Sequence, residues 1–300
     1  MSRPTVEVAR REVDLRRLEL IITRHLDGLM HGEHSALVHG PGTDAGDGRP
    51  YNPGDDARRI DWSLTARSNA VHIRDTIAER ELETWLVVDA SASLEFGTAV
   101  WTKRDLAITA AAAFGLLGRR GGNRTGALVF DGQRTDIVAP LAGRDAVLQL
   151  LRRLDRRPTA PPGAASLATA IHQARRAAHH RGRMVVISDL IDSGPWPAEL
   201  RMAAAHHQVV VVEISDPREW ELPAVGLLTL HDPETGSRCE VQTSNADLRR
   251  RFAEAAQRRR RENADAVRSA GALHLQLSTD RDWMRDLVAF AARHRGGVDR

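Results

Sequence analysis

The sequence predicts an α/β fold: a doubly wound, mostly parallel sheet with helices on both faces, an N-terminal helix-and-loop segment and an inserted β-hairpin. Three observations lead there. From Thr84 onward, short continuous runs of Val, Ile and Leu alternate with segments of helical period, the pattern of parallel strands covered on both faces. The 300 residues are 42% hydrophobic and 28% charged, with 23 Gly and 13 Pro. That composition can bury a sizeable core and excludes collagen-like, mucin-like and wholly disordered chains. Before residue 80 the alternation is absent, and Gly, Asp and Arg punctuate the chain.

Taken in order, the apolar positions Val13, Leu18, Ile21, Ile22, Leu26 and Leu29 recur at helical steps among Arg10, Arg11, Arg16, Arg17 and Arg24. Val6 to Met30 is thus an amphipathic helix packed on its own domain, with a partner or membrane-surface helix as the alternative. His31 to Ala78 is too dense in Gly and Pro for a helix and reads as loops with short strands, one near Val71 to Arg74. Residues 1–80 are expected as one segment packed on the main domain, which spans 81–300.

Within that domain the strand candidates are Trp85 to Val88, Thr125 to Phe130, Thr135 to Val138, Arg183 to Ile187, Val209 to Ile214 and Leu273 to Leu277. Helices are expected at Lys103 to Leu117, Arg144 to Leu154, Ser166 to His179, Pro197 to Ala205, Ala246 to Ala270 and Arg281 to Arg293. Two alternating runs around Pro233, Glu234, Thr235 and Gly236 predict a hairpin at about 225–243.

The formal net charge is only +3, so the charge balance does not itself argue for nucleic acid. Cys239 is the single cysteine, which leaves no internal disulfide and no thiolate cluster for zinc. The charged N-terminus lacks the apolar core of a signal peptide, and no stretch approaches the ~18 apolar residues of a membrane span. A cytoplasmic protein without an integral membrane span is expected.

Ligands of open parallel sheets sit beyond the carboxyl ends of the strands, where strand order reverses. The first strand runs into Asp89-Ala90-Ser91-Ala92-Ser93, and alternate residues of an extended segment point the same way. The oxygens of Asp89, Ser91 and Ser93 can therefore converge, a set that suits a hard divalent cation, magnesium or manganese. The fourth strand ends in the same manner at Asp189, with Asp192 close behind. A polar strand-to-helix turn with Ser91 or Ser93 as its N-cap is the alternative.

These residues resemble the metal-ion-dependent adhesion site of the von Willebrand factor A domain, a Rossmann-type fold. That site is written DxSxS, then a threonine, then an aspartate after the fourth strand. The resemblance implies metal ligation by Asp89, Ser91, Ser93 and Asp189. Ala165 aligns with the threonine position, and Ser166 stands one residue away as a possible substitute.

The segment Arg49-Pro50-Tyr51-Asn52-Pro53-Gly54-Asp55-Asp56-Ala57-Arg58-Arg59-Ile60-Asp61-Trp62, followed by Thr65-Ala66-Arg67, is more specific. It is similar to the signature of the bacterial domain of unknown function 58 (DUF58), a family often attached to a von Willebrand A-like domain. Pro53-Gly54 favours a turn, Asp55 and Asp56 can cap it, and Arg58, Arg59 and Arg67 can pair with Asp61 or the caps. The loop is either a buried structural knot or an interaction surface.

The family resemblance implies a MoxR-type AAA+ ATPase as protein partner, with the chain acting as a non-enzymatic adaptor. Two rival functions compete with this one. An aspartyl-nucleophile phosphotransferase or hydrolase also begins with a strand ending in Asp, but it needs a second Asp two residues on as general acid, where Ser91 stands. Nucleic-acid binding would use the arginines between Arg249 and Arg261, which Glu254 and Glu262 dilute. His179-His180 and His206-His207 read as surface histidines near helix ends.

Overall fold

The computed structural model describes residues 49–51, 60, 62–68, 70–73, 83–118, 123–158 and 166–294. The chain divides into two compact units, one of them His39–Glu81. In that smaller unit β1 (Arg49–Pro50) pairs antiparallel with β2 (His72–Ile73), and the short helix α1 (Trp62–Ser68) lies between them in sequence. The Tyr51 N–H donates to Val71 O at 2.7 Å and the His72 N–H to Thr65 Oγ1 at 3.0 Å, which closes the ribbon. The strand expected near Val71 is thus β2. The amphipathic helix Val6 to Met30, the loop through residue 48 and the signature residues Pro53, Gly54, Asp55, Asp56, Arg58 and Asp61 lie outside the described residues.

The larger unit is built on β3 (Glu83–Asp89), β4 (Arg124–Phe130), β5 (Thr135–Ala142), β6 (Gly182–Ser188), β7 (Gln208–Ser215) and a last strand, β10 (Leu273–Ser278). Their order across the sheet is β10-β7-β6-β3-β4-β5. All neighbours are parallel except β4 and β5. The exception has a local cause. Asp131 Oδ1 accepts from the Gln133 and Arg134 N–H groups at 3.0 and 2.8 Å, and Gly132 takes a positive φ of 87°. A tight turn of this kind can only return the chain antiparallel, whereas parallel strands need a crossover.

Those crossovers are the helices. On one face α2 (Lys103–Gly118), α3 (Arg144–Arg156) and, at the end of the chain, α7 (Trp283–Arg293) pack Leu106, Phe114, Leu151 and Phe290 over Leu86, Val129 and Ile187. On the other face lie α4 (Leu167–Ala177), α5 (Trp196–Ala204) and α6 (Ala246–Ser269), which place Ile171, Leu200 and Val267 against Val87, Leu128 and Val186. Alternate strand residues thus serve opposite cores, which is why the strands read as unbroken apolar runs. The expected hairpin is β8 (Leu227–His231) with β9 (Arg238–Gln242), and Leu227 pairs with Gln242. Among the described residues no helix is long and apolar enough to cross a membrane.

Candidate functional site

Strand order reverses at β3, which lies between β4 and β6. The register pairs Val88 with Ile187, so Asp89 and Asp189 leave the sheet side by side on its carboxyl edge. Past β3 the Ala90 N–H donates to Phe130 O at 2.8 Å, and the Ser91 N–H turns back to Asp89 Oδ1 at 2.9 Å. A single 3₁₀ turn, Ala92–Glu95, then folds Ser93 under the edge.

The four main predicted ligands come together there. Ser91 Oγ lies 3.0 Å from Ser93 Oγ, Ser93 Oγ donates to Asp189 Oδ2 at 2.7 Å, and Ser188 Oγ donates to Asp89 Oδ2 at 2.8 Å. Asp89, Ser91, Ser93, Ser188 and Asp189 are all buried. Ser91 holds the N-cap position of the 3₁₀ turn, but its side chain makes no cap bond; the hydroxyl is given to the cluster instead. Ser166 makes its hydrogen bonds at α4, where its Oγ accepts from the Thr169 N–H at 3.2 Å and meets Thr169 Oγ1 at 3.0 Å. Asp192 ties the loop after β6 to the same helix by accepting the Leu167 N–H at 2.8 Å.

Lys103 is the residue that sequence reasoning missed. It opens α2, is 1% exposed, and places Nζ 2.7 Å from Asp189 Oδ2 and 2.5 Å from Glu219 Oε1. The other Glu219 oxygen accepts the Asp216 N–H at 3.0 Å. Asp216, fully buried, accepts from the Thr98 N–H and hydroxyl and from the Thr279 hydroxyl. The carboxyl ends of β3, β6, β7 and β10 are therefore laced together around one ammonium. A signal existed in the sequence. The positive end of a helix macrodipole disfavours a cation in the first turn, so a lysine there needs carboxylates from elsewhere.

Burial and the neighbouring Asp189 push the Asp89 carboxyl up to about 6. Burial pushes Asp189 the same way, but the Lys103 ammonium and its hydrogen bond prevail and hold it below the ordinary range. Burial also raises Glu219. Glu234, half-buried in the hairpin turn, is raised to about 7 by burial and then by the charges of Asp189 and Asp89. Leu190, directly after Asp189, adopts a positive φ of 54°, a left-handed conformation that costs a leucine on the order of 1 kcal/mol. Its N–H donates to Ser188 Oγ at 3.2 Å, and the Ile191 N–H donates to Asp189 Oδ1 at 3.2 Å. The Asp189 carboxyl is thus held between the Ile191 N–H on one oxygen and Ser93 and Lys103 on the other.

Other predicted residues stand apart from this edge or are engaged locally. In the smaller unit Trp62 is 70% exposed, Tyr51 is half-buried, and Arg67 lies on the exposed last turn of α1. Arg49 contributes its backbone to the pairing with Ile73. On α6, Arg249 Nη1 donates to Thr243 O, Arg250 pairs with Asp247, and Arg259 and Arg260 lie over the Trp220 ring. His207, expected at the surface, is instead buried and held below the usual histidine range, by burial first and then by the charge of His206. Among the described residues no group of three or more His, Cys, Asp or Glu side chains is arranged to hold a metal.

The family model described as "Protein of unknown function DUF58" matches residues 47–262. Uncharacterised proteins of Mycobacterium tuberculosis and Mycobacterium bovis are each 46% identical over 299 residues, covering 99% of this chain and 94% of theirs. Among solved structures, an aerotolerance-related membrane protein from Bacteroides fragilis is 14% identical with a TM-score of 0.47, covering 71% of this chain and 98% of its own. A von Willebrand factor type A structure from Catenulispora acidiphila is 12% identical with a TM-score of 0.40, covering 73% of this chain and 43% of its own.

Proposed function

The chain belongs to the DUF58 family, and on that premise we propose that it is a non-enzymatic protein-binding module that docks a partner's carboxylate through a divalent cation, Mg2+ or Mn2+, held at the carboxyl edge of the sheet. The observation that carries this is the hydrogen-bonded set Asp89, Ser91, Ser93 and Asp189, buried where strand order reverses. Its chemistry fits such an ion. All its donors are oxygen, and the hydrogen bonds that Asp89 accepts, from the Ser91 N–H, the Ser91 side chain and the Ser188 hydroxyl, all come from neutral groups. Burial first, and then the charge of Asp189, raise its carboxyl to about 6, and a cation placed there would offset both. Two carboxylates and two hydroxyls would supply four of the roughly six positions of such an ion, which water and one outside anion would complete. When bound, the ion supplies an electrostatic anchor for that anion; Asp89, Ser91, Ser93 and Asp189 hold it.

A MoxR-type AAA+ ATPase in the cytoplasm is the partner that the family resemblance supports, offering an exposed Asp or Glu. Phosphotransfer finds no general acid at the required place, because Ser91 stands there with its hydroxyl beside Ser93. Calorimetry tests the cation: wild type is expected to give Mg2+ or Mn2+ heats that the Asp89→Ala, Ser91→Ala double variant lacks. Equal heats would refute the site. Association with the ATPase should be lost in chelator and weakened by Ser93→Ala.

A further inference from the structure

The buried ammonium of Lys103 has no part in the docking chemistry described above, yet it is the most fully enclosed cation at the edge, 1% exposed and shared between Asp189 and Glu219. A lysine so enclosed persists only where carboxylates replace its water. Here they come from the ends of two strands, Asp189 after β6 and Glu219 after β7, while the lysine itself heads α2. The contact is not peripheral to the crevice. Asp189 Oδ2 receives both the ammonium at 2.7 Å and the Ser93 hydroxyl at 2.7 Å. An ion that also draws on Asp189 must share this carboxylate with a positive charge already in contact with it.

We infer that Lys103 is a tethered counter-cation that competes with a divalent ion for Asp189, so that it keeps the empty crevice folded and sets how weakly the ion is held. This rests on the reading of the crevice as a divalent-cation site. The physical content is charge balance. Without an ion, the ammonium offsets Asp189. With an ion bound, the ammonium retains Glu219, whose second oxygen is fixed on the Asp216 N–H at 3.0 Å, so the helix start remains anchored while Asp189 changes partner. The cation affinity of the crevice is thereby tied to the position of α2.

Manganese itself is the probe, with calorimetry and thermal melting of the full chain as readouts. Lys103→Met removes the competing charge, so Mn2+ affinity is expected to rise at least roughly ten-fold. In chelator this variant should melt below wild type, because Asp189 is left buried without its cation, and Mn2+ should restore its melting temperature while moving wild type much less. If Lys103→Met does not fold in chelator, its refolding by Mn2+ is the same result. Glu219→Gln is the converse, since it leaves the ammonium wholly to Asp189, and Mn2+ affinity should fall by about ten-fold. Wild type that binds Mn2+ while Lys103→Met binds it equally or less tightly overturns the competition alone. No Mn2+ heat or melting shift in either protein overturns the cation site and the competition together.

Discussion

Glu234 sits in the hairpin turn with its carboxyl raised to about 7, by burial and then by Asp189 and Asp89. A raised carboxylate weakens the fold as it ionises: the folded chain binds the proton more tightly than the unfolded one, so stability falls as pH rises from the ordinary value of 4.5 to about 7. Replacing Glu234 with Gln removes that cost. The Glu234→Gln variant should therefore melt above wild type at pH 8 in chelator and approach it at about pH 4, where the Glu234 carboxyl is mostly protonated in both the folded and the unfolded chain. A divalent ion at Asp89 should shrink the difference at pH 8. An identical melting temperature at pH 8 would mean that the hairpin turn does not feel the crevice. In the sequence, Pro233 to Gly236 shows only a turn, because its spacing says nothing about what the turn folds back upon.

At the scale of elements, the register of β6 on β3 sets the distance between Asp89 and Asp189. It begins at a close approach: Gly182 pairs with Glu83, and a Cβ at Gly182 would stand 2.1 Å from the Glu83 carbonyl oxygen. No side-chain rotation relieves a clash with backbone. Gly182→Ala should cost about 1–3 kcal/mol in denaturant unfolding, and should weaken Mn2+ binding because Asp189 rides at the other end of the same strand. Wild-type stability would disprove the register. The limits of β6 were close to legible, Arg183 to Ile187 expected against Gly182–Ser188 observed, since an apolar run bounded by Gly and Asp marks a strand covered on both faces. The direction of β5 was not, because period 2 is the same for parallel and antiparallel strands and only the Asp131 turn decides it.

Within the larger unit, two features carry charge of opposite sign. Arginines concentrate on the 24-residue helix α6, where only Ala256, Asn263 and Val267 are buried, while Asp89, Asp189, Glu219 and Glu234 share the crevice edge with a single buried lysine. Arg258 and Arg261 are exposed, so the Arg258→Ala, Arg261→Ala variant should shift stability by no more than about 0.5 kcal/mol. It should leave ATPase association intact in a pull-down with Mg2+. A complex that survives chelator and fails on this substitution would move the interface to α6.

The architecture was legible in the amino-acid order, as was the meeting of Asp89, Ser91, Ser93 and Asp189 at one sheet edge. Strand and helix periods are local properties, and DASAS at one strand end with Asp189 at another follows from parallel strands sharing an edge. The charge around that edge became visible only once the chain was folded. Lys103, Glu219 and Glu234 lie 86, 30 and 45 residues from Asp189 along the chain, and no spacing rule joins them. Helix packing and the loops beyond β6 and β7 bring Asp189 and Glu219 to one buried ammonium, the hairpin turn sets Glu234 within the field of Asp189 and Asp89, and burial makes each such encounter count.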